Sequence, residues 1–176
     1  ESGGGGKLVL ASEFAAELAE AAQLKAVAAF QERYRRLNTL VCEDLQALAG
    51  RSESQLQLLA VVDDLLGRGG RVLLTASRLP GRLDRFDNKL VSRCRGGLVV
   101  SVRRPGPASR LQLLEHFASR RQVPLPADAA QVLAQKITGS PRDLLAALGQ
   151  LETLARISGG VIDTKMATSM VSEDTP

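Results

Sequence analysis

Two short apolar runs, each ending in polar residues, constrain the fold of this chain more than any other feature. One run is TLVC, followed directly by Glu43 and Asp44, and the other is RVLLTA, followed by Ser77. Continuous apolar runs of this length are typical of buried parallel strands. Polar residues at their carboxyl ends lie at the edge of the sheet where α/β folds bind ligands. The pattern predicts an α/β fold with a parallel sheet and a site at that edge.

Helical patterns separate the apolar runs. Apolar residues at helical spacing predict helices over residues 12–22, 25–36 and 54–66, and the runs KLVLA and GGLVVSV are predicted as further strands. Because strands alternate with helices, we expect the sheet to be covered on both faces.

The character of the chain changes after Arg104. The remaining residues contain three amphipathic helical patterns and a short fourth, separated by Pro, Gly and Ser, and no strand pattern. We therefore predict an α/β domain over residues 1–104 and a small all-α domain over residues 105–176.

The basic residues are concentrated in the middle of the chain. Eleven basic residues and two acidic ones lie between Arg68 and Arg110, whereas the formal charge of the whole chain is only +4. A solvated, arginine-rich face accounts for such a stretch, and a surface that meets the phosphates of a nucleotide or of DNA is the functional alternative. With aromatic residues at 3% of the chain, a base-stacking platform is not supported.

Several classes of protein are excluded by composition. The two cysteines, Cys42 and Cys94, are far apart, and His116 is the only histidine. Disulfide scaffolds, zinc sites and histidine-based triads are therefore not predicted. The longest apolar runs are far shorter than the roughly 20 residues that cross a bilayer, and no leader pattern opens the chain, so we expect no membrane span and a cytoplasmic location.

The paired acids at the end of TLVC suggest nucleotide chemistry. In nucleotide hydrolases, one carboxylate at such a strand end holds Mg²⁺ and a second orients the attacking water. The alternative is that Glu43 and Asp44 are simply solvated or cap the next helix. The opening glycines do not form a phosphate loop, because Lys7 is followed by Leu8 rather than Ser or Thr and a strand pattern comes next.

Five motifs follow one another in the order of one known family. They are a Tyr-Arg pair at the end of a helix, the strand VCEDLQ, the strand LTASR, the Ser-Arg pair in KLVSRC and the helix start SPRDLL. With this order and spacing, residues 8–171 resemble the AAA+ domain of the bacterial replication initiator DnaA. The resemblance implies an AAA+ parallel sheet flanked by helices, without its first, phosphate-loop strand, followed by a small all-α lid domain.

The resemblance also implies roles for individual residues. Glu43 falls on the acid linked to Mg²⁺, Asp44 on the water-orienting acid and Ser77 on the first sensor position. Arg93 falls on the arginine finger that reaches the ATP of a neighbouring subunit, and Arg142 on the second sensor. The implied cofactors are ATP and Mg²⁺. For Arg93, the alternative is an ion pair with a local acid such as Asp87.

Some positions depart from the family pattern. Glu43 stands where the family usually has Asp, Ser77 replaces an acidic sensor, and Cys94 replaces an aromatic residue. In the helices that the family uses to grip single-stranded DNA, Ala19 occupies an apolar contact position. Glu53 lies where a basic contact is common, and Arg51 is the expected substitute for that contact.

Two parts of a complete initiator are not found in the 176 residues. No strand with a Gly-Lys-Ser/Thr loop precedes Lys7, and no helix-turn-helix domain follows Pro176. We expect either a fragment of a longer protein or a shorter relative. The missing strand lies inside the AAA+ sheet, so we also expect a slot between RVLLT and the GGLVV strand.

The function implied by the resemblance is that of an ATP-switched module that self-associates at the replication origin and helps to open DNA. The expected partners are other copies of the protein, origin DNA including single strands, and the replicative helicase. The full-length protein is expected to be a slow ATPase, and the chain itself to be inactive. The alternative is a non-enzymatic DnaA-related regulator that docks Arg93 onto an initiator's nucleotide. A helicase loader is the less favoured alternative, because loaders usually lack the pattern that includes Gln46.

Overall fold

The first part of the chain is built around a three-stranded parallel sheet. The computed structural model describes residues 5–173, and the strands lie in the order β1-β2-β3. Thr39 is opposite Arg71, so the two apolar runs pair side by side, as predicted from their composition. The strands are β1 (Gly6–Leu10), β2 (Thr39–Glu43) and β3 (Arg71–Leu74).

Four helices accompany these strands. Three of them correspond to the predicted helices, and the fourth, just before the predicted strand GGLVVSV, was not predicted. The fourth helix begins after Asp87, whose carboxylate accepts a hydrogen bond from the backbone N–H of Lys89 and so caps the first turn. The helices are α1 (Ala11–Gln23), α2 (Val27–Arg35), α3 (Ser52–Gly67) and α4 (Asn88–Arg95), and two 3₁₀ turns cover Leu45–Leu48 and Pro80–Arg82.

One face of the sheet packs against these helices. Alternate strand residues such as Val9 and Leu40 are buried against three aromatic rings, those of Phe14, Phe30 and Tyr34. The ring centroid of Phe14 lies 5.3 Å from that of Phe30 and 5.2 Å from that of Tyr34, both in edge-to-face arrangements. Pairs of this geometry stabilise a core beyond the area that they bury. The core of this unit therefore lies on one side of the sheet.

The opposite face of the sheet is only partly covered. Leu8 lies opposite Val41, and Val41 opposite Leu73, so these three side chains form an apolar row across the strands. Leu8 is 67% exposed and Leu73 is 55% exposed. The prediction of a sheet covered on both faces is therefore wrong for the described residues, because α1, α2 and α3 contribute their buried side chains to the same core.

The predicted strand GGLVVSV is not a strand. Within residues 98–106 the chain forms neither helix nor strand, and Leu98 and Val102 are 93% and 94% exposed. A strand needs a neighbour for its backbone N–H and C=O groups, and among the described residues β3 pairs with β2 alone. The segment therefore lies outside the sheet, and the predicted slot between two strands is not formed; β3 instead presents an open edge.

In the second part of the chain, helices are the only regular secondary structure among the described residues. Contacts divide the chain into two compact units, one ending at Ser101 and the other beginning at Val102. The second unit has its own core, which includes the fully buried Leu114, Leu133 and Leu148. The predicted α/β architecture followed by a small all-α domain is thus confirmed. Among the described residues, no helix is long and apolar enough to cross a membrane. The helices are α5 (Pro107–Arg121), α6 (Ala127–Lys136), α7 (Pro141–Ser158) and α8 (Thr164–Glu173).

A buried arginine stabilises this second unit. Arg110 is only 7% exposed, and its Nε donates a hydrogen bond of 2.6 Å to the carbonyl oxygen of Ala134, in the last turn of α6. Its Nη1 donates a second bond, of 3.0 Å, to the carbonyl oxygen of Pro105. The last carbonyls of a helix lack partners within the helix, and a cation favours that end. Arg110 therefore joins the end of α6 to the segment that precedes α5.

Removing this guanidinium is expected to destabilise the second unit. We expect Arg110→Met to lower the free energy of unfolding by about 2 kcal/mol, because two carbonyl acceptors lose a charged donor. Urea unfolding of the chain followed by far-ultraviolet circular dichroism measures the change. The control is Arg120→Met, an exposed arginine on the same helix; equal stability of the two variants would show that the buried hydrogen bonds contribute nothing.

Candidate active site at the carboxyl edge of the sheet

Glu43 and Asp44 lie at the carboxyl end of the central strand. Glu43 is the last residue of β2 and is partly exposed. Asp44 has φ 59° and ψ 51°, in the left-handed region, where Asp is one of the few non-glycine residues found at all often. The chain therefore turns sharply after the strand. The Asp44 side chain does not cap the 3₁₀ turn that follows, and α3 begins after Arg51, so the predicted alternative of a helix cap is not observed.

The end of the neighbouring strand holds the backbone at Asp44. The N–H of Asp44 donates a hydrogen bond of 3.0 Å to Oγ1 of Thr75, and the N–H of Leu45 donates one of 2.9 Å to the carbonyl oxygen of Thr75. In turn, the N–H of Thr75 donates to the carbonyl oxygen of Cys42. The sharp turn after β2 is thus fastened to the residue that follows β3.

The side chain of Gln46 connects two of the predicted site residues. Its Nε2 donates a hydrogen bond of 2.9 Å to Oδ1 of Asp44. Its Oε1 accepts one of 3.0 Å from the backbone N–H of Ser77. Asp44 and Ser77 are therefore joined through a single amide. Sequence reasoning assigned no role at this edge to Gln46 or Thr75, although both lie within two residues of a predicted site residue.

By itself, this edge of the sheet has few side chains that could bind a metal ion. Across residues 5–173, no group of three or more His, Cys, Asp or Glu side chains is placed to hold a metal ion. Burial raises the pKa of the Cys42 thiol to about 12, so this neighbour of Glu43 stays protonated at neutral pH. Mg²⁺ is usually held by one or two carboxylates together with substrate phosphates and water. Glu43 therefore fits a site in which a nucleotide supplies most of the ligands.

Arg93 lies on α4 and contacts an acid on α3. Its Nε lies 2.5 Å from Oδ1 of Asp63, and the two side chains are 52% and 42% exposed. The local acid named from the sequence, Asp87, instead caps α4, so the alternative was wrong about the partner. Half-exposed ion pairs of this kind contribute at most about 1 kcal/mol. The guanidinium is therefore accessible and only weakly held.

A buried amide fixes the beginning of the helix that carries Arg93. Gln55 is 1% exposed, and its Nε2 donates to the carbonyl oxygens of Leu48 and Arg85, at 2.6 Å and 3.0 Å. Its Oε1 accepts a bond of 2.7 Å from the N–H of Asp87. A buried amide with its groups paired is a rigid connection. Gln55 thus ties the residue before α4 to the 3₁₀ turn that follows Asp44.

Arg142 lies in the second unit. It is exposed in the first turn of α7. The backbone N–H of Ser140 donates to the Asp143 carboxylate, and the Ser140 hydroxyl accepts from the N–H of Asp143. Hydrogen bonding to Ser140 lowers the pKa of the Asp143 carboxyl. The larger cause is the bond from the Ser140 N–H, and the smaller cause is the bond with the Ser140 side chain. This capping box holds the turn from which the Arg142 side chain extends.

The residues predicted to contact DNA are exposed in the first unit. Ala19 lies on α1, and Arg51 immediately precedes α3. Glu53, in the first turn of α3, accepts a hydrogen bond from Nε2 of Gln57. In the basic stretch, two arginines besides Arg93 are paired with acids: Arg68 with Asp64, and Arg78 with Asp84.

The amino-acid sequence matches one family over more than half of its length. The profile described as "Bacterial DnaA ATPase domain" matches residues 7–101. The chain is similar to the chromosomal replication initiator protein DnaA of Sphingopyxis alaskensis, with 32% identity over 168 residues, 95% of this chain and 37% of that protein. The chain thus spans about a third of the length of the curated relatives that it matches.

The fold is similar to that of solved structures. Domain III of the Thermotoga maritima replication initiation protein DnaA superposes with a TM-score of 0.89 at 22% identity, over 96% of this chain and 70% of that one. A replication initiator DnaA bound to AMPPCP and single-stranded DNA superposes with a TM-score of 0.77 at 20% identity, over 87% of this chain and 49% of that one. At this identity, the similarity establishes the fold.

Proposed function

The chain belongs to the bacterial DnaA ATPase domain family, and from this premise we propose that it is part of an ATP-switched replication initiator. Such a protein self-associates at the origin when it holds ATP and helps to open the duplex. The observation that carries this proposal is the connection of Asp44 to Ser77 through Gln46 at the carboxyl edge of the sheet. That edge is where parallel α/β folds bind their ligands.

In this proposal the nucleotide is ATP, with Mg²⁺ held by Glu43 and the phosphates. The chemistry that Mg²⁺ would supply there, held by Glu43 and the phosphates, is neutralisation of the charge that develops on the phosphates. The carboxylate of Asp44 accepts a hydrogen bond from the attacking water and orients it, and Ser77 faces the phosphates as the first sensor. AMPPCP in the related DnaA structure supports a nucleotide of this class. Hydrolysis is slow, because it resets a switch.

The remainder of the nucleotide site must come from outside these 176 residues, since they contain no Gly-Lys-Ser/Thr loop. Two features support its placement beside β3. The far edge of β3 is unpaired among the described strands, and the row formed by Leu8, Val41 and Leu73 is an apolar surface on which a helix can pack. A strand and a helix flanking a phosphate loop would cover both.

The chain of 176 residues by itself is expected to bind ATP weakly or not at all. The backbone N–H groups and the lysine that surround the β- and γ-phosphates are not part of it. Titration with a fluorescent ATP analogue, with and without Mg²⁺, measures this. Micromolar affinity that depends on Mg²⁺ would show that the phosphate site has been misplaced.

Assembly is proposed to depend on the two outlying arginines. A planar guanidinium matches the oxygens of a γ-phosphate. Arg93, half-exposed on α4, reaches the ATP of a neighbouring copy, and Arg142 acts as the second sensor of the γ-phosphate. The exposure of both side chains supports these roles.

The replicative helicase is a further proposed partner.

Single-stranded DNA is the proposed ligand of the surface that includes Ala19 and Arg51. Both residues are exposed, and the related initiator structure contains single-stranded DNA. Electrostatic attraction to phosphates makes such binding dependent on salt. Fluorescence anisotropy of a labelled oligonucleotide at two salt concentrations, with Arg51→Glu as the variant, tests the assignment.

One observation favours a second function. Arg93 is half-exposed and only weakly paired, and this does not require a nucleotide bound to the same chain, so a non-enzymatic regulator docking Arg93 onto an initiator's nucleotide fits the same geometry. The complete reading frame separates the two proposals. An upstream phosphate loop and a downstream helix-turn-helix support the initiator, and a stop codon soon after Pro176 supports the regulator.

A further inference from the structure

We propose that Gln46 and Thr75 are positioning residues that hold Asp44 in the orientation needed for ATP hydrolysis, an inference that rests on the proposed function. Gln46 holds the carboxylate of Asp44 through a hydrogen bond of 2.9 Å. Thr75 holds the backbone of Asp44 through a hydrogen bond of 3.0 Å. Neither side chain needs to contact the nucleotide to act in this way.

The chemistry of its partners determines the orientation of the Gln46 amide. The backbone N–H of Ser77 is only a donor, so it requires the oxygen of the amide, and an ionised Asp44 carboxylate is only an acceptor, so it requires the amino group. Both bonds are satisfied in this one orientation. A shift of the Ser77 backbone therefore moves the partner of Asp44. This is how a change at the sensor position would reach the water-orienting carboxylate.

Thr75 acts on the backbone of the same residue. The backbone of Asp44 is in the left-handed conformation. Residues other than glycine keep this conformation only where their surroundings hold it. The Thr75 hydroxyl accepts the Asp44 N–H, and its carbonyl oxygen accepts the next N–H along the chain. Together, Gln46 and Thr75 restrain the side chain and the backbone of Asp44.

Two pairs of variants separate these contacts from general effects on the fold. Thr75→Ser keeps the hydroxyl, whereas Thr75→Val replaces it with a methyl group of nearly the same size. Gln46→Leu removes both hydrogen bonds of the amide. Gln46→Glu keeps an acceptor for the Ser77 N–H but sets a second carboxylate against Asp44. The matched control is Gln31→Leu, because Gln31 donates to Gln57 in a contact between α2 and α3 that involves none of the residues at the sheet edge.

The assay measures kcat and KM for ATP in the protein expressed from its complete reading frame, beside thermal melting of each variant. We expect Gln46→Leu, Gln46→Glu and Thr75→Val to lower kcat about tenfold or more, since misplacing a catalytic group has effects of this size. KM should change less than about twofold, because these side chains do not hold the nucleotide. Thr75→Ser and Gln31→Leu should keep the wild-type kcat.

Several outcomes would overturn the inference. An unchanged kcat in both Gln46 variants, or a Thr75→Ser variant as slow as Thr75→Val, would remove the positioning role. Gln46 lies outside the buried core, so its variants remain informative even if Thr75→Val does not fold. A wild-type protein that neither binds nor hydrolyses ATP would overturn the proposed function and this inference together, whereas an active wild type with active Gln46 variants would overturn the inference alone.

Discussion

Replacing Arg93 with Ala is expected to abolish ATP-dependent assembly of the protein expressed from its complete reading frame, while its fold and its affinity for ATP stay nearly unchanged. The side chain is half-exposed, and its ion pair with Asp63 contributes at most about 1 kcal/mol. In the proposed assembly, losing the guanidinium removes the group that would contact the γ-phosphate of the ATP bound to the neighbouring copy. Sedimentation velocity in the presence of ATP and of ADP measures assembly, and thermal melting measures the fold.

Two controls separate the effect of losing Arg93 from the effects of changing the residues around it. Arg82→Ala removes an exposed arginine of the same basic stretch and should leave assembly intact. Asp63→Asn removes the charge that pairs with Arg93 and should also leave ATP-dependent assembly intact, since the pair does not carry the function. If Arg93→Ala still assembles with ATP, or simply unfolds, this arginine has a structural role.

Replacing Asp44 with Asn is expected to slow ATP hydrolysis by about 100-fold or more, with little change in ATP affinity. Asn tolerates the left-handed conformation of this position, and its Oδ1 can still accept the hydrogen bond from Gln46. In the proposed mechanism, the substitution therefore removes the negative charge that would attract a water proton, and it keeps the local geometry. Single-turnover hydrolysis and equilibrium binding of ATP measure the two quantities separately.

The matched control is Asp84→Asn, an exposed acid that pairs with Arg78. Because this acid lies outside the site, its loss should leave turnover at the wild-type value. Unchanged turnover in Asp44→Asn would exclude Asp44 from the mechanism, and a loss of ATP affinity as large as the loss of rate would assign it to binding instead.

The sequence was sufficient to predict the parallel sheet and the position of the acids at its edge. Both depend on local pattern, since TLVC and RVLL are mainly apolar and each is followed by polar residues. The same kind of pattern led to a wrong prediction of a strand at GGLVVSV. A strand requires a neighbour to pair with, and among the described strands none lies beside this segment.

The contacts that complete the site could not be predicted from local pattern. Gln46 meets Ser77 across 31 positions, and Asp63 meets Arg93 across 30 positions, from one helix to another. Such pairs depend on how the elements pack, and side-chain identity alone does not reveal them. The sequence therefore predicted which residues lie at the edge, whereas their connections depend on the packing.

In the proposed assembly, the site that holds the ATP of one copy is completed by the arginine of another, and mixing two inactive variants tests this most directly. Asp44→Asn retains Arg93, and Arg93→Ala retains Asp44, so a mixed assembly contains interfaces in which both functional residues meet at one ATP. We expect each variant alone to be nearly inactive and an equimolar mixture to recover a measurable fraction of wild-type ATP hydrolysis. A mixture no more active than the average of the two variants would contradict the account, because Asp44 and Arg93 would then act within a single copy or not at all.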